Sequence, residues 1–357
     1  MNKQVCLVTG GAGFIGCALS RQLADKFDRV IAIDNLHPQV HAKQERPSDL
    51  DARVELKVGD VSEAVTWDSL LSDGAVKPDV IVHLAAETGT GQSLTEATRH
   101  ANVNVVGTTE MLDALVRHKA IPEMIVLTSS RAVYGEGAWA DAEGNVSYPG
   151  QRSSEMLDRG EWDFPGLKPM PFESTKVWPH PTSVYGATKL AQEHMLTSWC
   201  LSFGVKPVLY RLQNVYGPGQ SLTNPYTGIV PFFAQVAKRG ESLPVFEDGD
   251  IVRDFVYIED VVSAIMAGID SGKANTSPYD IGSGEPTTIM SLAEIIAEHY
   301  SAPAPHVNGK YRNGDIRAAV GIIDRPRAEL GWEPQVMARE GIGRLLEWID
   351  SGTGNAN

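Results

Sequence analysis

Several things are scarce in this sequence of 357 residues, and each scarcity excludes a class of protein. Cysteine appears three times, at Cys6, Cys17 and Cys200, widely spaced and outside any CxxC or CxxH pattern. Neither a disulfide framework nor a zinc site is therefore expected, and no metal centre is expected elsewhere. Cys6 falls in an apolar strand-like run and Cys17 in a helical pattern, where thiols act as small buried hydrophobes. Apolar runs of about 18 residues or more are missing, so no membrane-spanning helix is expected. The opening MNKQVCLVTGGAGFIG lacks an apolar stretch ending in a small-residue cleavage site, so a cytoplasmic location is expected. Positive charge is also thin: 31 Lys and Arg face 45 Asp and Glu, a net −14 with no basic block. Such a chain is a poor candidate for a nucleic-acid backbone. Gly and Pro number 34 and 21 without forming a low-complexity tract, and no internal repeat is visible. With 42% hydrophobic residues the chain can bury a core, which disordered chains cannot. A small-molecule ligand is the partner left, and the length suggests two domains at roughly 150 residues each.

What is present is a rhythm. Short β-branched runs at Val5–Thr9, Val30–Ile33, Val54–Val58, Val80–Leu84, Met124–Thr128 and Val208–Arg211 are nearly all apolar, as in strands buried on both faces of a parallel sheet. Helical spacing of apolar residues occupies Phe14–Lys26, Thr95–Lys119 and Tyr185–Phe203. The alternation predicts right-handed βαβ units and an α/β fold of doubly wound, parallel type, with a smaller mixed α/β region after it. The expected division is 1–215 for the first domain and 216–357 mainly for the second, with segments of about 250–282 returning to the first. Residues 36–53 are polar. Residues 136–181 carry many Gly and Pro with Trp139, Tyr148, Trp162, Phe164 and Trp178, and read as a binding segment or as a surface insertion packed by its own aromatics.

The first run leads into Thr-Gly-Gly-Ala-Gly-Phe-Ile-Gly, placing Gly10, Gly13 and Gly16 between a strand and a helix. Glycine there permits a tight turn, close approach of backbone to a pyrophosphate and close helix–strand packing. The helix N-terminus adds unpaired N–H groups and partial positive charge. Asp34 ends the second strand about 20 residues on, where an acid suits the hydroxyls of an adenosine ribose and repels a 2′-phosphate. NAD is the expected cofactor. Downstream, Tyr185 and Lys189 lie four apart at the start of a long helix, hence on one face. A phenol titrates near ~10, so it serves as a base near neutrality only if a cation lowers it. The strand ending Thr128-Ser129-Ser130 brings hydroxyls to the carboxyl edge of the sheet, and either Ser130 or Ser129 could bond a reacting substrate hydroxyl. Asp254, Glu259 and Asp260 read as a loop and helix start, not as metal ligands.

These residues together with Asp34-Asn35, Gly59-Asp60-Val61, His83-Leu84-Ala85-Ala86, Asn104-Val-Val-Gly-Thr108 and Ser130…Val133-Tyr134-Gly135 resemble the extended short-chain dehydrogenase/reductase family from residue 1 to about 330. Arg211-Leu-Gln-Asn214-Val-Tyr-Gly-Pro-Gly219 and Arg253-Asp254-Phe-Val extend the resemblance to its nucleotide-sugar branch. The resemblance implies a Rossmann-type NAD domain in which Phe14 and Ile15 join the glycines, Asp60 and Val61 lie at the adenine, and Leu84, Ala85, Ala86 and Asn104 lie along the cofactor. Lys189 would also contact the nicotinamide ribose. Asn214 and Arg253 would contact substrate, Arg253 and Arg317 meeting the sugar diphosphate. The branch shares one opening move, in which Tyr185 takes a sugar hydroxyl proton while NAD takes hydride from C4. Its 4,6-dehydratases use an Asp-Glu pair where this chain has Arg131-Ala132. Hydride return to the other face, 4-epimerisation with a retained and regenerated NAD, is then implied. The strings containing Thr88, Gly160-Glu-Trp-Asp163, Gln213, Gln220 and Asn224 are similar to those of members acting on dTDP-L-rhamnose. They add Thr88, Gln213, Gln220 and Asn224 to the expected substrate contacts, to which Arg131 beside Ser130 also belongs. A UDP-hexose 4-epimerase and a 4-ketoreductase or dehydrogenase with exchangeable NAD(H) remain alternatives, as does a silent NAD-binding regulator. The resemblance also implies a homodimer formed through helices 95–119 and 185–203.

Overall fold

The computed structural model describes residues 4–352 except 42, 75 and 223–227. Seven parallel strands form the central sheet: β1 (Val5–Thr9), β2 (Arg29–Asp34), β3 (Glu55–Val58), β4 (Val80–His83), β5 (Met124–Ser130), β6 (Lys206–Leu212) and β7 (Tyr279–Ile281). Their order is β7-β6-β5-β4-β1-β2-β3. The chain leaves β1 toward β2 and β3 on one side and returns through β4 on the other, so a crevice opens between the loops after β1 and β4. Six strands fall where the apolar runs predict them. The seventh was hidden in the sequence, because only three residues pair there, Tyr279 to Ile281 against Tyr210 to Leu212.

Strand alternation divides the core into two layers. On one face Cys6, Val8, Val30, Val126 and Val208 pack with Leu19 and Leu23 of the helix Phe14–Lys26 and with Val261 and Ile265 of the helix Ile258–Ser271. On the other, Leu7, Ile31, Ile81, Ile125 and Leu209 pack with Trp67, Met111, Leu115 and Leu196. The latter come from the helices Ala64–Leu71, Gly107–Arg117 and Val184–Phe203. The periodic stretch around 95–119 is not one regular helix: between Ala97–Ala101 and Gly107–Arg117 the backbone forms a π-helical turn, Asn102–Val106.

A second, smaller core lies C-terminal. The strands Asn214–Tyr216, Val252–Tyr257, Pro286–Thr288 and Ala318–Ala319 form a mixed sheet covered by Phe233, Leu292, Ile296, Leu345 and Leu346 from three helices. Asp254 is fully buried in it, its carboxylate accepting from Ser283 N and Oγ, Gly284 N and Gly321 N. Asp260 accepts from Gln335 N and Val336 N. Both acids are thus spent on loop backbone, and no cluster of metal-ligating side chains occurs among the described residues. No described helix is long and apolar enough to cross a membrane.

The segment 136–181 is neither structureless nor a free-standing insertion. It forms a small antiparallel sheet (Trp139–Ala140, Val146–Ser147, Lys168–Pro169) and a short helix, Ser154–Asp158. Arg152 ties it to the C-terminal region. Its buried guanidinium donates to Glu136 Oε1 at 3.0 Å, to both Glu247 oxygens at 2.8 and 2.9 Å, and to the carbonyls of Trp162 and Asp315. All five donors of the fork are used, which is what makes burying the charge tolerable. Removing the cation alone would leave two buried carboxylates facing each other. Arg152→Met is expected to lower the unfolding free energy by about 3–5 kcal/mol. Adding Glu136→Gln and Glu247→Gln should recover most of that loss in urea unfolding, and no recovery would contradict this account.

Candidate active site

The crevice is built by close backbone contacts that only glycine allows. Gly10 follows β1 with φ +65°, and its N–H donates to Ile33 O. A Cβ there would lie 2.8 Å from Ala85 N, so side chain and neighbouring loop cannot coexist. A Cβ on Gly16 would lie 2.5 Å from Gly11 O, so this glycine lets the first helix settle onto the turn. Gly13 caps the helix with extended backbone and no side-chain bond, leaving the first N–H groups for a ligand. Phe14 and Ile15, next along, instead pack partly against the C-terminal core.

Asp34 stands at the edge of β2, buried, accepting from Ala12 N at 3.0 Å and Leu36 N at 2.9 Å. Each oxygen keeps lone-pair capacity for a ribose hydroxyl. Asn35 donates to Asp60 Oδ2, and Ser62 donates to Asp60 Oδ1 through N and Oγ, fixing the far rim beside Val61. The crevice runs from this rim past Gly10, Gly13 and Asp34 to Leu84, Ala85, Ala86 and the exposed Thr88. Asn104 has a different place from the expected one. Its amide bonds both backbone groups of Glu87 (2.8 and 3.0 Å) and donates to Thr188 Oγ1, so it holds the loop after β4 against the long helix. The π-helical turn puts it there, and such turns mark functional positions often.

The long helix starts with Ser183 Oγ accepting from Gly186 N, and a Cβ on Gly186 would strike the carbonyl of Ala132. That contact sets Tyr185 against the end of β5, beside Ser130. Burial raises the phenol above its ordinary value, while Ser130 and the Arg131 charge oppose this. Ser129 is not part of this pair. It lies on the opposite face of β5, with Ile125 and Leu127, and donates to Glu193 Oε1 at 2.5 Å. Glu193 also takes a bidentate pair from Arg211, at 3.0 and 2.7 Å.

Lys189 is almost wholly buried, and its ammonium has no hydrogen-bond partner among the described residues. Burial lowers it to about 7, with Glu193 one turn on pulling the other way. Below it His83 is bonded by Thr9 Oγ1 at Nδ1 (2.6 Å) and lies 3.0 Å from Thr108 Oγ1 at Nε2, with Gln192 donating to the same threonine. Burial and then the Lys189 charge hold His83 down to about 3, so it is neutral. Sequence reading named His83 only within a motif and did not mention Gln192 or Glu193. Their one signal was spacing: Glu193 is four past Lys189, and Gln192 seven past Tyr185.

Arg131 donates through Nε to Asn214 Oδ1 at 2.8 Å, bringing those two residues together. Arg253 is buried, with NH2 2.6 Å from Asp315 Oδ1. Arg317 is already saturated: it pairs with Asp163, Glu247 and Asp248, so the expectation that it meets a diphosphate is set aside. A competing carboxylate set of that strength leaves no free donor for a phosphate. Gln220 accepts from Gly217 N and shapes its own loop. Gln213 is buried with both amide atoms unpartnered among the described residues. Asn224 lies outside the described residues.

The glycine cradle, the lone-pair capacity of Asp34 and the orphaned ammonium of Lys189 together fit NAD. Because Lys189 binds a proton below 10.5 when unfolded but only below about 7 when folded, its charge opposes folding at neutral pH. Lys189→Met is expected to stabilise the NAD-free protein by a few kcal/mol at neutral pH. It should also flatten the rise of stability between about pH 7 and 10.5. Calorimetry that found the variant less stable would refute this.

Comparison with known proteins agrees with this arrangement. The family described as NAD dependent epimerase/dehydratase matches residues 6–282. The dTDP-L-rhamnose 4-epimerase of Burkholderia thailandensis is 55% identical over 343 residues, covering 96% of this chain and 94% of that protein. The dTDP-glucose 4,6-dehydratase of Shigella flexneri is 27% identical, covering 97% and 93%. Among solved structures, UDP-glucose 4-epimerase of Thermotoga maritima with UDP-glucose superposes with TM-score 0.79 at 28% identity, covering 98% and 99%. That of Thermus thermophilus with NAD gives 0.76 at 27%, covering 98% and 100%.

Proposed function

The chain belongs to the NAD dependent epimerase/dehydratase family, and from that premise we propose that it interconverts dTDP-L-rhamnose and dTDP-6-deoxy-L-talose by epimerisation at C4. The observation that carries the reading is Tyr185 set at the Ser130 end of β5 beside a glycine cradle, with Arg131 and Ala132 where an eliminating enzyme needs two acids. Support for the sugar comes from the Burkholderia relative, more than half identical along nearly the full length of both chains.

Bound NAD supplies a hydride acceptor that becomes a donor, so the redox balance closes within one turnover. Gly10, Gly13 and the open helix N-terminus would hold its pyrophosphate, Asp34 the adenosine ribose, and Asn35, Asp60 and Val61 the adenine end. Leu84, Ala85 and Ala86 would line its path, and Lys189 would give its donors to the second ribose. Ser130 positions the C4 hydroxyl, and Tyr185 accepts its proton as the C4 hydrogen leaves with its electron pair. The product of this half is a 4-keto sugar. Arg131 offers no acid for elimination across C5–C6, so a ketone that turned over in the site would regain hydrogen at C4 from its opposite face, with Tyr185 returning the proton. Arg253 and Asn214 anchor the nucleotide diphosphate and the sugar while this happens.

Protein denatured after purification should release NAD near one equivalent. The same protein without added cofactor should convert dTDP-L-rhamnose, followed by sugar ring protons in NMR, and leave GDP-mannose untouched. Tyr185→Phe should retain NAD and lose at least about 100-fold in rate. Conversion of UDP-glucose alone would move the assignment to a UDP-hexose 4-epimerase, as in the Thermotoga and Thermus enzymes. An absolute need for added NADH would make it a reductase.

A homodimer is part of the proposal. Val106 and Val116 on one helical stretch and Leu201 and Phe203 on the long helix are 39–60% exposed, an apolar surface that a second copy would cover. Light scattering should give twice the 38.6 kDa chain mass, and Leu201→Glu with Phe203→Glu should give one chain. All three cysteines are unpaired, which suits a reducing compartment such as the cytoplasm.

A further inference from the structure

We infer that the polar stretch after β2 is a clasp over the NAD crevice, joined across it by a reciprocal amide pair between Gln39 and Gln92, and that it governs how slowly the cofactor leaves. This rests on the reading of NAD as retained between turnovers and names residues that retain it. In the sheet, β1 lies between β4 and β2. A bond between the chain leaving β2 and the chain leaving β4 therefore passes over the end of β1. That end carries Gly10 and Gly13, the floor of the crevice. His37, Gln39 and His41 line it from one side, and Glu87 and Thr88 from the other.

The β2 side is held in a fixed shape. Leu36 is buried and takes φ +50°, a left-handed backbone that a leucine adopts only where its surroundings impose it. Its N–H donates to Asp34 Oδ1 at 2.9 Å. The N–H groups of Val40 and His41 both return to the carbonyl of His37, at 2.9 and 3.0 Å, closing a tight turn. His41 brings Nε2 to 3.6 Å from the same Asp34 oxygen. The strap thus starts and finishes at the acid assigned to the ribose, with Gln39 at its middle.

The opposite side is built as firmly. After β4 the chain makes the short turn Gln92–Leu94, and the Gln92 side chain is buried. Its Nε2 donates to Gln39 Oε1 and its Oε1 accepts from Gln39 Nε2, both at 3.0 Å. Glu96 Oε1 accepts from the same Nε2 at 3.0 Å, so both donors of this amide are used and its orientation is set. Arg99 braces the turn, donating to Glu96 Oε2 and Glu87 Oε1 at 2.9 Å each, and its NH2 lies 3.5 Å from His37 Nδ1. Each amide bond is modest alone, and the pair opens only by losing both. The crevice beneath runs from the Asp60 rim to Ala86, so a molecule that fills it lies under the pair and leaves when the pair opens. An enzyme that returns its hydride to the same carbon has no use for cofactor exchange between turnovers, whereas a dehydrogenase depends on it. A clasp built across the crevice suits the former.

The test follows cofactor release and not catalysis. NAD-loaded enzyme is mixed with excess NAD carrying heavy carbon in its adenosine, and the bound label is read by mass spectrometry after gel filtration. Gln39→Ala and Gln92→Ala should each speed exchange about tenfold, the loss of two amide bonds. Because both remove one contact, the double variant should exchange no faster than the quicker single variant. Side chains that only shaped their own loops would give effects that multiply. If an alanine variant does not fold, Gln39→Glu, which keeps the shape but sets a carboxylate against Gln92 Oε1, must speed exchange by a similar factor. Variants that exchange at the wild-type rate, or a double variant whose effect is the product of the two, would overturn the inference. Wild-type enzyme that is purified without NAD and takes up label at once would instead sink the reading of a retained cofactor.

Discussion

The bidentate pair between Arg211 and Glu193, buried beneath the helix Val184–Phe203 and joined by Ser129, fixes where everything else in the site can stand. It binds the middle of the helix to two adjacent strands, β5 and β6. With the helix held there, its first turn falls at the carboxyl edge of the sheet, and the Gly186–Ala132 contact sets its depth. Tyr185 then meets Ser130, and Lys189 is carried under the surface. A buried ion pair of this kind adds little net stability compared with an apolar pair, but breaking one side of it is costly. Its value here is positional.

Burial has opposite consequences for the four titratable groups of the site. It raises the phenol, lowers the ammonium, keeps His83 neutral and weakens Arg131 without discharging it. A base that must work near neutrality is thus surrounded by groups that the same desolvation pushes the wrong way. Two further cations of this region, Arg253 and Arg317, are held by carboxylates. The insertion 136–181 contributes at a distance: through Glu136, Arg152 and Asp163 it occupies Arg317 and braces the region that holds Arg253 and Asp315.

Much of this was legible in the sequence, for physical reasons that differ by element. Buried parallel strands are apolar throughout, so β1, β2, β4, β5 and β6 showed themselves, as did the glycine turn, whose spacing is dictated by backbone approach. β7 did not, because three paired residues carry no periodicity. The choice between Ser129 and Ser130 was readable from strand alternation once Ile125 and Leu127 were assigned to the helix-facing side. What no spacing could tell was charge pairing over long separations. Arg317 looked like a phosphate ligand until Asp163 and Glu247, 154 and 70 residues away, were found on it. Asn104, expected along the cofactor, bonds Glu87 and Thr188 from a π-helical turn that leaves no mark in the sequence pattern.

The central claim is that hydride leaves C4, stays within the closed site and returns to the same carbon. dTDP-L-rhamnose carrying deuterium at C4, incubated with enzyme as purified in ordinary water, tests it directly. Mass spectrometry and proton NMR of the talose product should find the label retained at C4, with no added cofactor and no label in the medium. Loss of the deuterium to solvent or to added NAD would contradict the account.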